Sequence, residues 1–172
     1  MDFPPGFFDL VAPAHPAPGA ADEAALRDLY SDLDIDGRVL DLCGSSPEHF
    51  DVPPDELVAL AGDPSAPLPF GDAAFDAALC GACTGALTAP DATFAEVARI
   101  LRPGGRLVCT FTGGFDEPAV RGWAAADDAG RVRIVRAYFA RAEAFGPAES
   151  DLRTSLTGVG ERLWAVWAAK RG

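Results

Sequence analysis

"FAEVARILRPGGRLVCTF" runs from Phe94 to Phe111 and joins two kinds of pattern without a gap. Phe94, Val97, Ala98 and Leu101 recur at helical spacing, so residues 91–102 predict a helix with one apolar face. "PGG" at 103–105 stops it, because proline cannot continue the hydrogen-bond ladder and glycine releases the chain into a turn. "RLVCTFTG" at 106–113 then reads as a short buried strand. Just upstream, "FDAALCG" at 75–81 reads as another. Strand, helix and strand in succession predict a parallel crossover unit.

The same alternation extends outward. Toward the N-terminus, residues 38–43 and 56–62 predict two more strands, and residues 21–32 a helix with Leu26, Leu29 and Tyr30 on one side. Between those strands Ser45 and Glu48 fit a capping box and Pro47 suits a first helical turn, but Pro53 and Pro54 limit any helix to about one turn. Toward the C-terminus, residues 118–142 predict one or two helices with a break at Gly130. Val132, Val135 and Phe139 form the apolar stripe, and Arg131, Arg133 and Arg136 a solvated face. Residues 161–170 predict a last strand carrying Trp164 and Trp167. Residues 1–20 are proline-rich and without period, an irregular arm whose "FPPGFFDL" rests on the body. The reading is one α/β domain over 21–172. Strands 38–43, 75–81 and 106–112 are adjacent in a mostly parallel sheet, and 161–169 runs antiparallel to them.

The chain has 172 residues, 49% of them hydrophobic, which is enough for a packed core. The net charge is −12, and Lys170 is the sole lysine among fourteen basic residues. Such a surface repels phosphate backbones and argues against nucleic acid as a substrate. The apolar runs are too short to span a membrane. "MDFPPGFFDL" has neither a basic region nor a cleavage site, so the expected compartment is the cytoplasm.

Four cysteines, Cys43, Cys80, Cys83 and Cys109, lie in or just after apolar runs, where a thiol packs as a small hydrophobe. "CGAC" at 80–83 has the spacing of a redox pair. It has no second C-x-x-C and no Cys or His at zinc spacing, so packing is the expected role and no metal site is expected.

"LPFGDAAFDAALC" (68–80) and "FAEVARILRPGGRLVCTF" together resemble the central half of class I S-adenosylmethionine-dependent methyltransferases, most of all the type-11 small-molecule group. "GRVLDL" (37–42) is similar to that family's first strand, and "RGWAAADDAGRVRIVRAYF" and "LWAVWAAK" look like one bacterial branch of it. The resemblance implies a Rossmann-like methyltransferase fold with S-adenosylmethionine as cofactor. Its implied acceptor is a small molecule. The chain departs from the pattern after Asp41. Cys43, Ser45 and Pro47 stand at positions the family fills with glycine, and Gly44 is out of register. Asp63 matches both the acidic residue that follows the second strand and the acid ahead of "LPF". It cannot serve as both, so about one helix and one strand of the adenosine-binding half are missing.

The resemblance thus assigns the cofactor to Asp41, Cys43, Gly44, Ser45 and Asp63, and Gly81 and Thr84 follow the third strand, where parallel-sheet folds place ligand contacts. Each has a plainer reading. Asp41 and Asp63 also suit turn caps, and "GACTGAL" (81–87) suits a packed loop. His49 is the candidate general base, or else a half-exposed histidine beside Phe50. His15 is a second such candidate, in the arm. Phe7, Phe8 and Trp123 either line an apolar substrate pocket or belong to the core. Methyl transfer asks for alignment rather than a catalytic triad, since the sulfonium is already activated. A second reading is a methyltransferase-like subunit that no longer methylates and binds a partner enzyme, as a homo- or hetero-oligomer, through a shortened sheet edge.

Overall fold

The computed structural model describes residues 1–11, 21–43, 47–81, 83–112, 119–153 and 162–172. Six strands form one sheet: β2 (Arg38–Asp41), β3 (Glu56–Ala59), β4 (Phe75–Cys80), β5 (Leu101–Phe111), β7 (Glu149–Leu152) and β8 (Trp164–Ala169). Their order is β3-β2-β4-β5-β8-β7. The first four are mutually parallel, whereas β8 is antiparallel to β5 and to β7. The expected adjacency of β2, β4 and β5 and the antiparallel last strand are both present. Two short strands, β1 (Leu10–Val11) and β6 (Ala119–Val120), pair apart from the main sheet. The arm is therefore not wholly irregular, because Leu10 and Val11 complete this ribbon.

The sheet lies between two helical layers. On one face α1 (Ala21–Asp32) packs Leu29 and Tyr30 against Val39, Leu79 and Val108. On the other, α2 (Pro90–Ile100) and α4 (Asp128–Ala142) cover Leu40, Cys80, Leu107 and Cys109. Phe94 of α2 and Phe139 of α4 meet edge to face with ring centroids 4.9 Å apart. Each such buried aromatic contributes a few kcal/mol of apolar burial, about 25 cal/mol per Å².

The quoted stretch folds as a crossover, with one local surprise. Leu101 already pairs with Phe75, and the next paired residue, Arg106, faces Ala77. Residues 102–105 bulge out of the ladder instead of preceding it. Gly104 takes φ +82°, and a side chain on Gly105 would come within 2.8 Å of the Asp76 carbonyl oxygen and 2.9 Å of that of Arg102. The Gly104 N–H donates to the Lys170 carbonyl at 2.9 Å, and the Lys170 N–H donates to the Gly105 carbonyl at 2.8 Å. "PGG" thus shapes the bulge and anchors the final strand.

"LPF" and α2 are one unit. Arg99 donates to the Leu68 and Phe70 carbonyls at 3.1 and 2.8 Å and pairs with Glu96 and Asp72 at 2.8 and 2.9 Å. Glu96 also accepts the Leu68 N–H at 2.8 Å. Arg99 and the Leu68 N–H hold the Glu96 carboxyl down at about 2. Asp76 works at the amino edge of the sheet, accepting the Arg38 N–H at 2.8 Å and Arg102 at 2.6 Å.

Three expectations need correction. Arg131 is buried rather than solvated, donating to the Thr112 carbonyl at 3.2 Å, while Arg133 and Arg136 are exposed. The helical break falls at 125–127, between α3 (Arg121–Ala124) and α4, where Asp127 accepts the Gly130 N–H at 2.7 Å. Gly130 is inside α4. Strand β7 was not expected, because "ESDL" lacks an apolar pattern. The stretch between β2 and β4 supplies one strand and, among the described residues, only a three-residue turn (Pro47–His49). The adenosine-binding half is reduced, as the doubled role of Asp63 implied.

Candidate functional site

In an open parallel sheet, ligands bind where the strand order reverses, beyond the carboxyl ends of the strands. Here the chain leaves β2 for β3 on one side and returns to β4 on the other. The reversal therefore lies between β2 and β4, and Asp41 faces Leu79 across it. The Leu42 N–H donates to the Leu79 carbonyl at 2.9 Å and the Leu60 N–H to the Asp41 carbonyl at 2.8 Å, so three strand ends are locked together.

Asp41 is 1% exposed at the end of β2. Its Oδ1 accepts the Cys43 N–H at 3.1 Å, which turns the loop sharply after the strand. That turn carries Cys43 toward the loop that follows β4, where it forms a disulfide with Cys83. Cys80 is buried beside them, its sulfur 3.6 Å from that of Cys83 and 3.9 Å from that of Cys43. Cys109, opposite Cys80 on β5, completes the group. A hydrogen bond with Cys109 draws the Cys80 thiol down, whereas burial pushes the Cys109 thiol up.

Thr84 fixes the second loop. Its hydroxyl lies 2.6, 2.9 and 3.2 Å from the carbonyl oxygens of Cys80, Gly81 and Thr110. This folds the chain back after β4 and brings Cys83 over Cys80. Gly81, half-buried, occupies the bend.

Asp41, Cys43, Gly81 and Thr84 thus converge on the reversal point. Gly44 and Ser45 lie outside the described residues, as does His15. Asp63 is exposed, and its Oδ1 accepts the Ser65 N–H at 2.8 Å as a turn cap. His49 ends the turn at 47–49, which is fastened to α1 by Arg27 donating to the Glu48 carbonyl at 2.8 Å and by Phe50 against Tyr30. Trp123 is core at 1% exposure, and Phe7 and Phe8 stack with Phe3 beside Tyr138. Burial raises the Tyr138 phenol well above its ordinary value. A cleft of about 330 Å³ bordered by Asp36, Asp76 and Arg102 opens at the amino ends of the strands, the edge opposite the reversal point.

Sequence reasoning missed the cysteine group. Zinc and redox motifs are recognised by spacing along the chain, whereas Cys43 reaches Cys83 through the sheet. The signal was present: adjacent strands ending in Asp41 and Leu79 carry their next cysteines to the same place.

The cofactor implied here is an adenosylated amino acid, and two features of the site fit it. A buried carboxylate, Asp41, stands at the strand end, and the loops after β2 and β4 start side by side at the reversal point. Residues 25–109 match the methyltransferase domain family. No curated protein matches. Among solved structures, the chain is similar to 1,6-didemethyltoxoflavin-N1-methyltransferase of Burkholderia thailandensis, solved with 1,6-didemethyltoxoflavin and S-adenosylhomocysteine. The TM-score is 0.57 at 19% identity, over 89% of this chain and 79% of that one. It is similar to the cyclase SpnF, with TM-score 0.58 and 15% identity over 87% and 80%. It is also similar to an S-adenosylmethionine-dependent methyltransferase of Thermotoga maritima, with TM-score 0.55 and 16% identity over 88% and 91%. At these identities the likeness is one of fold. By that fold and by the match of residues 25–109 to the methyltransferase domain family, the chain is similar to the class I methyltransferases, whose cofactor is S-adenosylmethionine.

Proposed function

We propose that this chain transfers the methyl group of S-adenosylmethionine to a small-molecule acceptor at the reversal point between β2 and β4. The observation that carries the reading is Asp41, a buried carboxylate at the carboxyl end of β2. Bound there, the cofactor supplies an activated methyl group on a sulfonium. Asp41 would accept hydrogen bonds from its amino-acid moiety, and the loop that holds Cys43 and Ser45 would receive that moiety. Gly81 and Thr84 would shape the loop after β4 that faces it, Thr84 from the interior. Asp63, beyond β3, is the candidate for the ribose, and His49 for a base that takes the acceptor's proton. The protein's contribution is to align donor and acceptor and to exclude water.

The small-molecule acceptor draws support from the Burkholderia enzyme, which holds one, and from the acidic surface, which disfavours nucleic acid. The compartment we propose is the cytoplasm, and no described helix is long and apolar enough to cross a membrane. Calorimetric titration with S-adenosylmethionine and S-adenosylhomocysteine tests the reading, on protein with the Cys43–Cys83 bond intact and reduced. Saturable binding to either form supports it. Absence of heat and of any thermal shift in both forms overturns it.

A further inference from the structure

We propose that Cys43, Cys80 and Cys83, once the Cys43–Cys83 bond is reduced, form a binding site for a soft divalent cation, zinc in the first instance. The inference rests on the thiol geometry and not on cofactor binding.

The three sulfurs lie within 4.8 Å of one another. Cys80 is 3.6 Å from Cys83 and 3.9 Å from Cys43. Zinc–thiolate bonds of about 2.3 Å in a tetrahedron set neighbouring sulfurs about 3.8 Å apart. The two separations straddle that value. Cys43 and Cys83, joined in the structure, have Cα atoms 5.6 Å apart on two loops, so reduction frees two side chains to part without moving a strand.

The ligands are held from outside the cluster. Cys80 and Cys83 form a C-x-x-C turn that the Thr84 hydroxyl pins to the Cys80, Gly81 and Thr110 carbonyls. Cys43 is directed by its own N–H on Asp41. Each ligand therefore has a fixed backbone. The donor set selects the ion. Three thiolates, with no imidazole or carboxylate grouped with them among the described residues, suit zinc and other thiophilic ions, and are wrong for magnesium or calcium, which take oxygen. Cys80 is buried while Cys43 and Cys83 are half-buried, so the ion enters from the loop side and water takes the fourth position there.

The chemistry balances. A dithiol reductant gives two electrons and two protons to the Cys43–Cys83 bond, leaving two thiols and becoming a cyclic disulfide itself. Zinc then replaces one proton on each of three thiols, forms three Zn–S bonds and releases the protons to buffer. No electron moves in that second step.

The test uses the full chain, reduced and kept free of oxygen, with zinc and then cobalt(II) as probes. Expected are one zinc per chain by native mass spectrometry, a higher melting temperature with zinc, and a sulfur-to-cobalt charge-transfer band of thiolate intensity. Cys43→Ser, Cys80→Ser and Cys83→Ser should each weaken zinc at least tenfold. Cys109→Ser should retain it. Because Cys80 is buried, Cys43→Ser, on an outer loop, decides the matter should Cys80→Ser fail to fold. The proposal is overturned by any of three results: a reduced wild type that takes no zinc, zinc affinity unchanged in Cys43→Ser, or a Cys43–Cys83 bond that survives excess dithiol in the folded protein. Zinc binding without any cofactor response would leave the proposal standing and count against the methyltransferase reading alone.

Discussion

Asp41 and Thr84 carry different weights at the residue scale. In Asp41→Asn the buried charge becomes a neutral amide that still accepts the Cys43 N–H, so the loop keeps its turn. S-adenosylmethionine affinity should fall at least tenfold, about 1.4 kcal/mol, by calorimetry. Equal affinity in both proteins would reduce Asp41 to a turn cap. Thr84→Val keeps the volume and removes the hydroxyl that reaches three carbonyls, so the melt should show a loss of about 1–3 kcal/mol. Thr84→Ser should recover most of it. An unchanged melting temperature in the valine variant would mean that the loop is held by packing. Asp41 was legible from its position at a strand end. The place of Thr84 in the loop after β4 was legible, and its Cys80 and Gly81 partners are local, but the Thr110 carbonyl belongs to β5 and follows only from the fold.

Among the elements, α2 and the turn before β4 depend on each other most. Glu96 and Arg99 hold "LPF" in place, and the Glu96 carboxyl titrates at about 2 in the folded chain. A depressed carboxyl stabilises the fold above its unfolded value, near 4.3, and loses that contribution as the pH falls toward 2. Glu96→Gln should therefore cost stability at neutral pH and flatten the decline between about pH 4.5 and 2. The pair is partly exposed, which keeps the effect small. Parallel acid-unfolding curves for the two proteins would remove Glu96 from the account. Helix α2 was legible because its apolar repeat runs for three turns against a buried sheet. The "PGG" bulge was read as a plain stop, since its Lys170 partner lies far along the chain. Arg131 was read as solvated because a charged residue beside an apolar stripe usually is. The Thr112 carbonyl that satisfies it in the interior is not a local feature.

For the whole molecule, strand adjacency was readable and the strand β7 was not. Parallel neighbours announce themselves through apolar runs buried on both faces. An edge strand such as β7, alternately exposed and half-buried, reads as loop. The order β5-β8-β7 has a further consequence, for vectorial synthesis. Residues 149–152 leave the ribosome before 164–169, yet they touch the sheet only through that later strand. A nascent chain that has exposed β7 but not β8 has a finished β5 edge open beside it and no native partner for β7. Arrested chains of that length should be cut by protease around 143–153, and chains exposing β8 as well should resist. Equal resistance at both lengths would mean that β7 finds its place unaided. The interval before β8 appears is when this fold is most open to pairing with the wrong strand, so slow codons between 153 and 163 should lower the yield of folded protein more than the same codons placed after 169.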